Sequence, residues 1–373
     1  MSKKILWFNW KDIHHPEAGG AEVVTHELAK RLVTNGFEVT LLTARYTNSN
    51  EFDEIDGIKI IRAGKGRLTH YFVAGAYYLK HLKNKYDIVI EEINTVPYFL
   101  SFFKGKEKFF LFYHQLSREI WFYQMTQPLS TIGYFLAEPL YTWLLSWFKT
   151  PVITISNSTK MDLQRFGFRP ETIKIIPEGI SNSPLASLLE SKAKDEIFTV
   201  LFHSSLREMK RPMETLKAFE IFAQTHPKSQ LWFSGGGDQG ALKEFANNNR
   251  ISNNVTFFGR TTDEQKIELM QKATVLCSTS LKEGWGLIVT EANSMGTPAI
   301  VYDVDGLRDA AATGGNWIAD PNPMALAQEL TKAFDLFTNN REQYETWRAE
   351  VLEKSRPINF EHSYEVFKEL ITK

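Results

Sequence analysis

Two acids, a glycine turn and a group of cations carry most of the chemistry in this sequence. Glu283-Gly284-Trp285-Gly286 closes a polar loop, and Glu291 stands eight residues after Glu283. Thr290, Glu291, Ala292 and Met295 recur at helical spacing, so Gly284 to Leu287 opens a helix. The N–H groups at a helix start lack partners within the helix and have the positive end of its dipole behind them. They suit a phosphate or a sugar oxygen, and glycines let such a ligand approach the backbone. Glu283, just before the turn, can accept hydrogen bonds from hydroxyls. Glu291 lies about two turns into the helix. Acids flanking an anion-binding turn fit a ligand with both phosphates and hydroxyls, which describes a nucleotide-sugar.

A second set of residues precedes this one. Ser204-Ser205-Leu206-Arg207-Glu208-Met209-Lys210-Arg211-Pro212 follows an apolar run at 198–202. Fixed cations there would stabilise charge growing on a leaving diphosphate without a metal. In the first half of the chain, His114 follows the apolar run 109–113. Ligands of open α/β sheets bind at the carboxyl ends of strands, which is where His114 falls.

The elements that must position these residues alternate along the chain. Ile5 to Phe8 reads as a buried strand, the loop 9–20 ends in Gly19-Gly20, and Ala21, Val24, Leu28 and Leu32 mark a helical face. Asn35-Gly36 caps that helix, and Val39 to Leu42 is the next strand. Further strands are expected at 58–61, 86–90, 109–113, 152–155 and 173–176, with helices at 69–85 and 159–166, the latter capped by Ser156. The second half alternates again, with strands at 198–202, 231–233, 255–258, 275–277 and 299–302 and helices at 213–223, 242–247 and 263–271. This is the α/β pattern of two Rossmann-like domains with doubly wound parallel sheets. The spaced-glycine dinucleotide fingerprint is absent, which argues against a nicotinamide dehydrogenase. The expected domains are 1–178 and 179–355, with a polar linker region at 181–195 and a helical tail at 356–373.

Composition sets further bounds. The 373 residues suffice for two full cores. A net charge of −1 gives no sign of nucleic-acid binding. The single cysteine, Cys277, excludes an internal disulfide and fits a reducing compartment. No signal-peptide cleavage site follows Met1 and no run of eighteen apolar residues occurs, so a cytoplasmic protein is expected. Two aromatic stretches suit the headgroup region of a membrane: 67–85, with Arg67, Lys80, Lys83 and Lys85, and 129–149, with Trp143, Trp147 and Phe148. Glu138-Pro139 is expected to interrupt the second.

The setting of the two glutamates, Glu283-Gly284-Trp285-Gly286-Leu287 followed by Glu291-Ala292 and Gly296-Thr297-Pro298, resembles retaining glycosyltransferase family 4. The resemblance covers nearly the whole chain. It implies the GT-B fold, two Rossmann-like domains facing a cleft, and transfer of a sugar from a nucleoside-diphosphate sugar to an acceptor hydroxyl. It assigns Glu291 to the ribose, Glu283 to sugar hydroxyls, and the Gly284–Leu287 backbone with Lys210 to phosphate. Phe258-Gly259-Arg260 would flank the base. Gly19-Gly20-Ala21-Glu22 resembles the family's first glycine loop, which faces donor phosphate and acceptor, and a strand-end histidine such as His114 contacts the donor sugar. Pro177-Glu178-Gly179 matches the crossover between domains, and the tail would cross back onto the first domain. The sequence departs from the family at Ser205, where an arginine is usual, so Arg207 or Arg211 would supply the second cation. Asp303-Val304-Asp305 has the form of the metal-binding pair of another transferase fold, GT-A, but comes late in the chain, and a loop beside the sugar is expected instead. Neither metal nor cofactor is expected. The expected acceptor is a glycan or lipid-linked group, and the expected place of work is the cytoplasmic face of a membrane. A sugar-nucleotide epimerase or hydrolase of the same fold, or a non-catalytic sugar-nucleotide binder, would use similar donor contacts.

Overall fold

The computed structural model describes residues 2–66, 69–190, 194 and 196–373. The chain forms two compact units, Met1–Gly179 with Phe360–Lys373, and Ile180–Asn359. Part of the expected linker, 191–193 and 195, lies outside the described residues, as does Arg67.

The first unit is built on an eight-stranded sheet in the order β3-β4-β2-β1-β5-β6-β7-β8. Its strands are β1 (Lys4–Phe8), β2 (Glu38–Arg45), β3 (Phe52–Ile55), β4 (Ile58–Lys65), β5 (Ile88–Ile93), β6 (Lys108–Tyr113), β7 (Val152–Thr154) and β8 (Ile173–Ile175). All neighbours run parallel except β3 and β4, which form a hairpin. The hairpin turns on Asp56 (φ 50°) and Gly57 (φ 78°), a two-residue loop with both central residues at positive φ. The inner strands are buried on both faces, so they read as continuous apolar runs rather than as alternation.

After β1 comes the helix Gly20–Thr34. It ends at Asn35, where the Phe37 N–H returns to the Leu32 carbonyl at 3.0 Å across Gly36 (φ +86°). The C-terminal helix Phe360–Thr372 packs against it, and Phe367 of that helix stacks on Trp7 at 5.2 Å. The aromatic stretch forms successive helical turns: Leu129–Ile132, a π-helical turn Gly133–Ala137, then Glu138–Ser146. Pro139 therefore does not interrupt the run. It sits in the first turn after the π-helical one, where the widened backbone spares the clash a proline ring makes with an i−4 carbonyl. Among the described residues no helix is long and apolar enough to cross a membrane.

The second unit holds a six-stranded parallel sheet in the order β11-β10-β9-β12-β13-β14. The strands are β9 (Thr199–His203), β10 (Gln230–Ser234), β11 (Val255–Gly259), β12 (Val275–Ser278), β13 (Ala299–Tyr302) and β14 (Trp317–Ala319). Renumbered from its own first strand, this order is 3-2-1-4-5-6, the doubly wound arrangement. Helices Pro212–Ala223 and Pro323–Asn339 share one core with Val200, Phe202, Phe233 and Cys277. Helices Asp263–Lys272, Leu287–Ser294 and Leu307–Gly314 bury their apolar positions in the other, around Leu201, Leu276 and Val301. Strand β14 and the helices Leu307–Gly314, Pro323–Asn339 and Arg341–Ser355 add to the elements expected from the pattern.

Candidate functional site

In the second unit the connections from β9 and β12 leave in opposite directions, toward β10 on one side and β13 on the other. A crevice opens at the carboxyl ends of two such strands. The loops that leave there are stitched together. The Leu281 N–H donates to the Met209 carbonyl at 2.9 Å, and Thr279 Oγ1 donates to the Arg211 carbonyl at 2.9 Å. Arg211 is held left-handed (φ 51°), at a cost of roughly 1–2 kcal/mol for a non-glycine residue. That residue turns the chain from the short Glu208–Lys210 helix into Pro212, the first residue of the next helix.

This geometry brings Lys210 and Glu283 into an ion pair, 73 residues apart in sequence. Ser280 Oγ donates to the same carboxylate at 2.6 Å. The two side chains are 15% and 19% exposed, so the pair is shielded yet reachable. Just beyond it, Gly286 (φ +102°) precedes the helix Leu287–Ser294, and a Cβ there would meet Leu307 Cδ2 at 2.8 Å. The Trp285 indole N–H donates to Thr290 Oγ1 at 3.0 Å and folds the turn onto that helix. Glu291 is paired with Lys266 at 3.1 Å. Burial raises the Glu291 carboxyl above its ordinary range, against the opposing pull of Lys266.

The Asp303-Val304-Asp305-Gly306 segment braces this loop. Asp305 pairs with Lys282 at 2.8 Å and, like Asp303, with Arg308, while the Asp305 carbonyl accepts from the Glu283 N–H at 3.1 Å. A Cβ at Gly306 would overlap the Glu283 carbonyl, so only glycine allows this approach. Among the described residues no group of three or more His, Cys, Asp or Glu could hold a metal ion. Arg207 is exposed and its Nε donates to Ser205 Oγ at 2.9 Å, apart from the Lys210–Glu283 pair. Phe258, Gly259 and Arg260 lie at the end of β11, the edge of the sheet, where Phe258 is 42% exposed. His203, at the end of β9, is a residue that reading the sequence did not single out. Burial holds its pKa down to about 4, and its Nδ1 lies 3.0 Å from Ser234 Oγ.

The first unit carries the other expected residues. His114 follows β6 and is buried, with its Nε2 3.1 Å from Glu92 Oε1 and its ring stacked on Phe112 at 4.6 Å. Glu92, on the neighbouring β5, also accepts from Trp7 Nε1 (2.9 Å), Asn9 Nδ2 (2.9 Å) and Thr25 Oγ1 (2.6 Å). Burial works against a charge on His114, but the Glu92 hydrogen bond and the charges of Glu92, Glu178 and Glu22 outweigh it and raise its pKa. Glu178 is buried as well. Desolvation pushes its carboxyl up to about 7 against the charge of His114 and the Gly179 N–H, and its Oε2 has no hydrogen-bond partner among the described residues. Gly19 caps the helix Gly20–Thr34: its N–H donates to Glu22 Oε2 at 2.7 Å, and Glu22 pairs with Lys11 at 3.2 Å. Neither Glu92 nor Lys266 was among the residues expected from the sequence. Their signals were faint: an acidic pair, Glu91-Glu92, inside an apolar strand, and one lysine on a polar helix face.

Residues 18–183 match the model of Glycosyltransferase Family 4, and residues 189–351 match that of Glycosyl transferases group 1. An uncharacterized glycosyltransferase of Methanocaldococcus jannaschii is 22% identical over 352 residues, which is 87% of each chain. The sucrose-phosphate synthase of Thermosynechococcus elongatus has a similar structure, with a TM-score of 0.77 at 18% identity over 99% of this chain and 98% of that one. An Anabaena protein in complex with UDP and glucose superposes with a TM-score of 0.70 at 15% identity over 99% of both chains. At such identities the structural likeness establishes the fold, which is GT-B. One family model falls almost wholly on each unit, the first taking in Glu92 and His114 and the second Lys210 and Glu283; the chain belongs to glycosyltransferase family 4 and is a hexosyltransferase.

Proposed function

We propose that the protein moves a hexosyl group from a uridine or guanosine diphosphate sugar to an acceptor hydroxyl, with retention at the anomeric carbon and without a metal. The observation that carries this reading is the Lys210–Glu283 pair at the carboxyl ends of β9 and β12, beside the start of the helix Leu287–Ser294. Within the pair each charge satisfies the other. When a donor enters, the Lys210 ammonium turns to the diphosphate and the Glu283 carboxylate accepts from sugar hydroxyls, so neither charge is left unpaired as water leaves. The N–H groups of the helix start take up part of the charge that grows on the leaving phosphate. Arg207, exposed nearby in sequence, supplies a second cation. Glu291, steadied by Lys266, accepts from the ribose hydroxyls. The leaving phosphate takes the acceptor's proton, and attack comes from the face that it leaves.

The Anabaena protein's UDP favours the same nucleotide class here. The acceptor is a glycan or a lipid-linked sugar in glycan, lipopolysaccharide or glycolipid assembly, met at the cytoplasmic face of a membrane. A thermal-shift screen with UDP, GDP and ADP and their sugars tests the donor site. A ligand at a hundred times its Kd adds about 2.7 kcal/mol, or several degrees of melting temperature. The anomeric configuration of the product, read by NMR, then tests retention. No shift with any nucleotide, or an inverted product, refutes the reading.

A further inference from the structure

The helical run Leu129–Ser146 and the turn after it have two apolar sides. The inward side is already satisfied. Gly133 packs so closely on Trp121 that a Cβ would overlap its ring, and Leu145 lies in a core with Leu111 and Val152. The outward side is apolar too. Leu129, Ile132, Leu136, Leu140, Trp143 and Trp147 recur at intervals of three and four residues, and each is between 45% and 61% exposed. A helix apolar all round belongs inside a protein or against another apolar phase. A neighbouring segment extends the surface: Phe102 meets Phe148 at 4.5 Å, and Trp143 meets Trp147 at 4.3 Å.

The exposed charges at the aromatic end of this surface have one sign. Between Glu119 and Asp162 the only acid in the sequence is Glu138. It is buried, and it accepts from the Ser117 and Arg118 N–H groups at 2.7 and 2.8 Å and from the Trp121 indole at 3.2 Å. Lys104, Lys106 and Lys149 are exposed, with Lys104 Nζ 5.9 Å from the Phe148 ring. Glu119, which accepts from the Tyr134 hydroxyl at 3.3 Å, is an exposed acid at the other part of the run. Indole rings beside lysines at the Trp143–Lys149 end match the boundary between acidic headgroups and acyl chains. The other expected stretch, 67–85, exposes Phe72, Val73 and Leu79 beside Lys80 within its described part, 69–85.

We propose that the face formed by 102–106 and 129–149 docks on a bilayer rich in acidic lipid, with Trp143, Trp147 and Phe102 in the headgroup region and the three lysines on lipid phosphates. This deepens the reading of a membrane-borne acceptor and rests on it for its purpose, though not for its chemistry. Co-sedimentation with vesicles of phosphatidylcholine, alone or mixed with phosphatidylglycerol, tests it at low and high salt. Wild type is expected to sediment with the mixed vesicles at low salt and to be released by high salt. The triple variant Leu136→Ser/Leu140→Ser/Trp147→Ser should lose at least tenfold in vesicle affinity, and Lys104→Gln and Lys149→Gln about fivefold each. All variants should keep the melting-temperature shift with nucleotide, which separates failure of this surface from failure of the donor site. Three results overturn the proposal: wild type remaining in the supernatant with both vesicle types, the triple variant binding as well as wild type, or wild type forming dimers through this face in sedimentation equilibrium while ignoring lipid.

Discussion

Replacing Lys210 by methionine removes the charge but keeps most of the stem, so it isolates what the ammonium does. Lys210 and Glu283 are each less than a fifth exposed, so their charges act in a medium less screened than bulk water. A hydrogen bond to a charged group contributes about 1.5–3 kcal/mol. Loss of one donor aimed at a developing oxyanion costs about a hundredfold to a thousandfold in kcat, or roughly 2.7–4 kcal/mol. We therefore predict that Lys210→Met lowers kcat/KM by about two to three orders of magnitude. Most of the loss should fall in kcat, because the charge on the leaving diphosphate grows toward the transition state. Folding should change little. Glu283 keeps its 2.6 Å bond from Ser280, and a cost on the order of 1 kcal/mol corresponds to about 2–4 °C for a unit of this size. The assay is steady-state transfer from whichever nucleotide-sugar shifts the melting temperature, run beside a melting curve of the variant. A variant that melts normally and turns over within about twofold of wild type would refute the assignment of Lys210 to the diphosphate.

Further outcomes follow from the same geometry. Glu291→Ala should weaken donor binding by roughly ten- to a hundredfold with kcat nearly unchanged, since a ribose contact is uniform between ground and transition states; titration calorimetry reads it, and unchanged affinity would remove Glu291 from the donor site. Excess chelator should leave transfer within about twofold; complete loss restored by Mg²⁺ would bring Asp303 and Asp305 into the reaction. Glu92→Gln should keep the first unit folded but shift the alkaline limb of the pH–rate profile, because His114 loses the carboxylate that favours its imidazolium; a profile identical to wild type would make Glu92 a framework residue only. Burial raises the Glu178 carboxyl to about 7, so the stability it contributes is fully present below an unfolded pKa of 4.5 and is lost as pH rises through about 7. His114, also raised, acts in the same direction, whereas His70, held near 4 by burial, acts in the opposite one below 6.5. Glu178→Gln isolates the first effect: calorimetry should show a smaller fall in the first unit's melting temperature between about pH 5 and 8, and an unchanged slope would count against it.

The parts of this molecule that could be read from its sequence are those whose cause is local. The apolar runs of β9 to β13 and the helical faces between them are set by periodicity within a dozen or so residues, and they stand where the pattern places them. So do the Ser156 cap, whose Oγ accepts from the Thr159 N–H at 3.2 Å, and the stop at Asn35-Gly36. The β3–β4 hairpin was within reach, because Asp56-Gly57 is a two-residue turn signal, but the flanking segments 52–55 and 58–61 lack the clean alternation that draws attention to a strand pair. Pro139 misled for a related reason: the rule for prolines assumes an α-helical i−4 carbonyl, and a π-helical turn removes that clash without leaving any mark in the sequence.

The candidate sites depend on a different kind of information. Glu92 receives bonds from Trp7, Asn9 and Thr25 and meets His114, residues separated from it by 85, 83, 67 and 22 positions. No spacing rule joins four such positions. They meet because β1 and β5 are neighbours at the point where the first sheet reverses direction, with β6 next to them. The Lys210–Glu283 pair has the same origin in the second sheet, where β9 and β12 adjoin although two strands separate them in the chain. Resemblance to a family could name both residues, but not their contact. Once the strand order is known, the contact follows almost without side-chain detail, because the loops leaving the carboxyl ends of the two strands at a reversal have nowhere else to meet. The reversal also explains why charged groups are tolerated there: each loop arrives with only part of a charge set, and the pairing across the two strand ends neutralises it.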